Sequence, residues 1–287
     1  MKYALYIFFA LTFFACKKDE SVIISGNVAP PDYTIEQVII DNYINKLYIS
    51  VLGREPLKDE FDNAISLLGA NVSKESRIKL VENVQANDEY FDNLFNIFRQ
   101  DYLNGIDTTI IRDDYINVFQ NLIENSQNPL QTEQYEYILE QLILLYQSAD
   151  DMKNGSADPI EIQRRCVNNQ LYDDINMGTE NYVVSMYQNF LQRYPSEYEL
   201  EVATIMVDGE QSVCFGENGD SKNDFNSIFF QHDGYFEGQV VNLYNRILYR
   251  SPNSYEATSL SQNYKQSRNY KNLQKELLIT DEFLGIQ

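Results

Sequence analysis

Three stretches of this 287-residue chain carry one ungapped pattern, Leu/Met-Tyr-x3-Leu-x-Arg-x-Pro-x3-Glu. The copies are Leu47-Tyr48 with Leu52, Arg54, Pro56 and Glu60; Met186-Tyr187 with Leu191, Arg193, Pro195 and Glu199; and Leu243-Tyr244 with Leu248, Arg250, Pro252 and Glu256. Leu47, Tyr48, Val51 and Leu52 recur at three- and four-residue spacing, one face of a helix. That helix must end near Arg54, because the residue before Pro56 is pushed out of the α region. Pro56 suits the first turn of the next helix, where its missing N–H costs nothing. Glu60 falls in the early turns of that helix, so Arg54 and Glu60 meet across a corner. A cation at one helix end and an anion near the next start also suit both helix dipoles.

A second signature follows each copy: Asp88-Glu89-Tyr90-Phe91, Asp233-Gly234-Tyr235-Phe236 and Asp281-Glu282-Phe283-Leu284. A two-part pattern recurring three times marks internal repetition. Each unit reads as a helical corner with an aromatic latch, its last helix capped by Asp88 or its counterpart. The pairs Arg54–Glu60, Arg193–Glu199 and Arg250–Glu256 invite two readings: a site for an anionic ligand or acid chemistry, or a structural clasp. Triplication beside the same proline favours the clasp.

Leu47 to Glu60 resembles a bacterial domain of unknown function found in tandem in extracellular and surface-layer proteins, whose pattern is LYxxxLGREP. Phycobilisome linker domains are similar in their helical opening. Residues 43–94 also resemble a helical domain that accompanies cytochrome-type modules, but the chain has no C-x-x-C-H, so the haem association does not carry over. Copies two and three depart from the pattern, with Gln192 and Tyr249 in place of the glycine before arginine. The resemblance implies assembly or binding rather than catalysis.

The N-terminus supplies an address. Lys2, an apolar run from Tyr3 to Phe14, and small Ala15 read as a secretory signal over residues 1–15. Phe13-Phe14-Ala15-Cys16 resembles the lipobox of bacterial lipoproteins, in which the cysteine is acylated. Two or three acyl chains hold a protein firmly, at roughly 0.8 kcal/mol per buried CH₂. Cys16-Lys17-Lys18-Asp19-Glu20 resembles the export signal of surface lipoproteins of the Bacteroidota. The expected location is the outer membrane, lipid-anchored and cell-surface-exposed, with a periplasm-facing placement as the alternative.

The formal net charge is −21. Such a chain repels nucleic acid and anionic headgroups, so nucleic acid is not an expected partner. Gly and Pro are scarce at 12 and 7, and Tyr (22) and Phe (16) are abundant, which favours helices over a turn-rich β-fold. Cys166 and Cys214 form an even pair in an oxidising compartment and are a possible disulfide. The one histidine, His232, stands beside Asp233 without a nucleophile that the sequence points to. No HExxH, GxSxG, P-loop or dinucleotide fingerprint occurs. Asp150, Asn154, Gly155, Asp158 and Glu161 fall at EF-hand positions, but Met152 occupies a ligand position, so a solvated linker is the reading and no metal or other cofactor is expected.

The expected fold is all-α: a flexible tether over 16–33, an N-terminal helical lobe over 34–148, a linker over 149–160, and a C-terminal lobe over 161–287 holding units two and three. A second polar loop is expected over 216–223. The expected function is a non-catalytic interaction or scaffold subunit of an envelope complex, with a protein partner and a membrane reached through lipid. The alternative is a glycan- or peptide-binding module in nutrient capture, marked by a deep aromatic-lined groove.

Overall fold

The computed structural model describes residues 35–69 and 71–286. The signal, Cys16 and the tether therefore lie outside the described residues. The first unit runs through α1 (Gln37–Leu52), α2 (Lys58–Leu68), α3 (Lys74–Gln85) and α4 (Glu89–Tyr102). The middle holds α5 (Thr108–Ile110), a π-helical stretch Ile111–Ile116, α6 (Asn117–Asn125) and α7 (Pro129–Tyr146), followed by α8 (Ser148–Asn154), α9 (Pro159–Val167) and α10 (Gln170–Ile175). The second unit has α11 (Thr179–Met186), π-helical Tyr187–Leu191 and α12 (Glu197–Val207). Next come β1 (Ser212–Cys214) and β2 (Glu217–Gly219), then α13 (Lys222–Phe229) and α14 (Asp233–Leu243). The third unit follows through π-helical Tyr244–Leu248, α15 (Ser254–Ser267), α16 (Tyr270–Leu278) and α17 (Asp281–Leu284). The fold is all-α; the only sheet among the described residues is the antiparallel hairpin β1–β2.

Units two and three share an element. Helix α14 closes the second corner with its first turn and leads into the third corner with its last. In the same register, the chain that leaves α4 turns at Asn104, which has a left-handed φ of 51° like that of Tyr249 (55°). Asn104 is thus a degenerate corner without the arginine or the glutamate.

The expected two lobes are not what forms. The described residues from Ile35 onward group as one compact unit. Tyr102 of α4 packs on Phe190, with centroids 4.6 Å apart, and Tyr43 of α1 meets Phe283 of α17 at 5.6 Å. The Tyr43 hydroxyl donates to the Leu278 carbonyl (3.2 Å), and Arg77 Nη2 donates to Asp281 Oδ1 (2.7 Å), so the C-terminal helices seal the first unit. Aromatic pairs at such spacings contribute roughly 0.5–1.5 kcal/mol each beyond area burial.

The linker expected over 149–160 is instead α8 and the entry to α9. Asp151 pairs with Arg165 at 2.6 Å, and the Asp158 carboxylate accepts the Glu161 N–H at 2.8 Å as an N-cap. A short polar segment looks the same in sequence whether it is solvated loop or helix surface. The loop expected over 216–223 likewise contains β2 and the start of α13. Among the described residues no helix is long and apolar enough to cross a membrane.

Candidate functional site

The three corners share one backbone device. The residue ahead of each arginine turns the chain in the left-handed region: Gly53 (φ 75°), Gln192 (φ 56°) and Tyr249 (φ 55°). Glycine takes that conformation freely, whereas a side chain costs roughly 1–2 kcal/mol there. The departures from glycine at 192 and 249 therefore leave the corner intact and add strain.

The clasp forms in all three. Arg54 reaches Glu60 through Nη1 (2.7 Å) and Nη2 (2.9 Å); Arg193 reaches Glu199 at 2.8 and 2.6 Å; Arg250 reaches Glu256 at 2.9 and 2.8 Å. Nη1 also donates to the carbonyl of Glu55, Tyr194 or Ser251. Each glutamate accepts the N–H of its helix's N-cap residue as well, from Leu57, Ser196 or Asn253 at 2.7–2.8 Å. One carboxylate thus ties the arginine to the start of the next helix. The hydrogen bonds from Arg193 and Arg250 hold the carboxyls of Glu199 and Glu256 down to about 2. The motif tyrosines complete the corner in two copies: the Arg193 guanidinium lies over Tyr187 at 5.1 Å, and that of Arg250 over Tyr244 at 4.9 Å.

A second carboxylate joins two of the corners. Glu89 accepts from Arg54 Nε (2.6 Å) and Nη2 (2.8 Å), and Glu282 accepts from Arg250 Nε (2.7 Å) and Nη2 (2.8 Å). The residue in register in the second unit is Gly234. Sequence reasoning missed Glu89 and Glu282, although a signal was present: the second signature reads Glu, Gly, Glu at that place.

The expected caps shift by one residue. Asp88 makes no capping bond; Asn87 Oδ1 accepts the Glu89 N–H at 2.9 Å. The equivalent caps are His232 to Gly234 and Thr280 to Phe283, each at 3.1 Å. His232 is therefore an N-cap through Nδ1, and its ring stacks on Phe215 with centroids 4.0 Å apart. Burial holds its pKa below 6.5.

A cleft of about 630 Å³ lies between the hairpin, α13, α14 and α15; Phe215, Glu217, His232, Asp233, Phe236, Lys265 and Arg268 line it. Lys265 pairs with Asp233 (2.6 Å), and Arg268 with Asp158 (2.9 Å). With His232 covering Phe215, its wall offers little free aromatic surface.

The disulfide expected between Cys166 and Cys214 is not formed; both thiols are free and buried. Cys166 belongs to α9, which packs on α4, whereas Cys214 lies in the hairpin against α12. Burial raises both pKa values, that of Cys214 to about 11. The EF-hand-like spacing does not build a loop: Asp150 and Asn154 lie in α8, and Asp158 caps α9. Among the described residues no group of three or more His, Cys, Asp or Glu is placed to hold a metal ion.

The second and third corners carry exposed tyrosines: Tyr194 (70% exposed), Tyr198 (67%), Tyr249 (86%) and Tyr255 (81%). Comparison with family models, curated proteins and solved structures returns no match.

Proposed function

We propose that this chain is a non-catalytic interaction or scaffold subunit, held at the outer membrane by lipid on Cys16, that binds a protein partner through the tyrosines of its second and third corners. Tyr249 carries this reading. It occupies a left-handed position where the first corner has Gly53, and the residue is 86% exposed. The fold gains nothing visible from that ring and bears the strain of holding it, which is the pattern of a residue kept for contact. Tyrosine offers a large, rigid contact surface at low entropic cost, and three more exposed tyrosines share these two corners. The net charge of −21 favours a basic face on the partner. The glycan-binding alternative called for a deep aromatic groove, and the stacking of His232 on Phe215 argues against it.

The test is affinity isolation of the tagged chain from gently solubilised outer membranes, followed by Tyr249→Gly. Glycine relieves the left-handed strain, so the variant should melt at the same or a higher temperature while losing the partner. A reproducibly partner-free monomer, or a Tyr249→Gly variant that retains its partner at wild-type yield, would overturn the reading.

A further inference from the structure

We infer that the second corner is an open seat for an acidic side chain of a protein partner, received by the Nε–Nη2 edge of Arg193. This rests on the interaction reading and names the chemistry of one contact. In the first and third corners that same edge holds a carboxylate, Glu89 or Glu282, in matching two-point geometry. In the second corner Arg193 binds Glu199 with Nη1 and Nη2, while its Nε has no partner among the described residues.

Gly234 stands where the second glutamate would. A Cβ built there lies 3.0 Å from His232 Nδ1 and 3.2 Å from Leu191 Cδ2, so this position abuts the side chains of the corner and has none of its own to fill the seat. The arginine is correspondingly open: its side chain is 46% exposed, against 29% for Arg54 and 38% for Arg250. His232 and Asp233, the two residues before Gly234, line the 630 Å³ cleft, which gives an incoming chain room beside the seat. Tyr194 and Tyr198, exposed on the same corner, offer it packing surface.

A planar fork with two parallel N–H donors matches a carboxylate and adds directional specificity. Glu89 and Glu282 both approach from the first turn of a helix, so the seat is shaped for a glutamate or aspartate presented at a helix start. A chain of charge −21 repels free anions, so the carboxylate is expected on an otherwise basic face.

The test labels the arginines of the full chain, purified in detergent from outer membranes, with ¹⁵N and follows their Nε–H resonances. N-acetyl-glutamic acid α-amide should shift one resonance saturably. The shift should vanish in Arg193→Lys and in Gly234→Glu, which fills the seat from within, and persist in the uncharged control Gly234→Gln. Gly234→Glu should also melt about 2–4 °C above Gly234→Gln, since both share the gain in helix propensity and the crowding of His232. Absence of a saturable shift, or a shift that survives in Gly234→Glu, overturns the inference. Glucuronate shifting the resonance at far lower concentration than the glutamyl probe overturns it too, by assigning the seat to a sugar acid. If Gly234→Glu captures the partner as wild type does, the seat is wrong while the interaction reading stands.

Discussion

Helices α4 and α14 close equivalent corners by opposite means. Helix α4 uses side chains: Glu89 on Arg54, and Asn93, whose Nδ2 donates to the Val51 carbonyl at 3.1 Å. Helix α14 has glycine at both places, Gly234 and Gly238. A Cβ at Gly238 would fall 1.7 Å from the carbonyl oxygen of Phe190, the residue in register with Val51. One corner is bridged by polar side chains that span a gap; the other has no gap, because backbone meets backbone. The first arrangement uses both edges of its arginine. The second leaves one edge to solvent and makes its helix far less tolerant of substitution.

The largest effect should separate these two modes. Gly238→Ala must push α14 off a backbone oxygen and is expected to cost more than about 4 kcal/mol, the range reached when a core contact cannot relax. Asn93→Ala removes a single hydrogen bond and should cost about 1 kcal/mol. Equal costs in denaturant unfolding would show that the two helices seat alike.

A middle effect should follow the number of carboxylates. Arg54→Ala and Arg250→Ala each abandon two carboxylates, and Arg193→Ala abandons one. The pairs are partly exposed, and exposed pairs are worth roughly 0.2–1 kcal/mol each. The first two substitutions should therefore destabilise by about 0.4–2 kcal/mol and the third by about half of that. A ranking with Arg193→Ala as the most damaging would break the comparison.

The smallest effect concerns the caps. Burial depresses the pKa of His232, and Arg193 and Lys265 press the same way, while Asp233 and Glu199 oppose them. The unfolded chain then binds the proton more tightly than the folded one, so this contribution is complete above 6.5, declines below it and is lost as pH falls through the lower folded-state value. Protonation also removes the Nδ1 lone pair that caps α14. His232→Asn, the residue type that Asn87 supplies in the first unit, should keep the cap and flatten the pH dependence of the melting temperature between about pH 7 and 5. An unchanged slope would show that the ring titrates as freely as in the unfolded chain.

Much of the corner is legible in the sequence. Arg54, Pro56 and Glu60 are close in sequence, and the clasp follows from helix-end geometry alone. Glu89 and Glu282 were harder, since each lies more than thirty residues from its arginine and only packing brings it back. The cap moved from Asp88 to Asn87 because both are good capping residues, and where the helix starts decides between them. The left-handed turns at Gln192 and Tyr249 were hidden, because no glycine announces them. The two-lobe reading failed at residues 149–160, where a polar run proved to be helix and cap. The bridge expected between Cys166 and Cys214 failed for a related reason: pairing two thiols needs their positions, and an even count carries none.

The sequence by itself determined the all-α class, the three corners and their clasps, because periodicity, proline and nearby charge act within a few turns of chain. It also carries the charge of −21. Only the tertiary structure decided that these corners belong to one body, that α14 serves two of them, and that Arg193 keeps one edge open. Those facts depend on which distant side chain arrives at a given place: Gly238 lets two backbones touch, and Gly234, one turn earlier, leaves the seat without its glutamate.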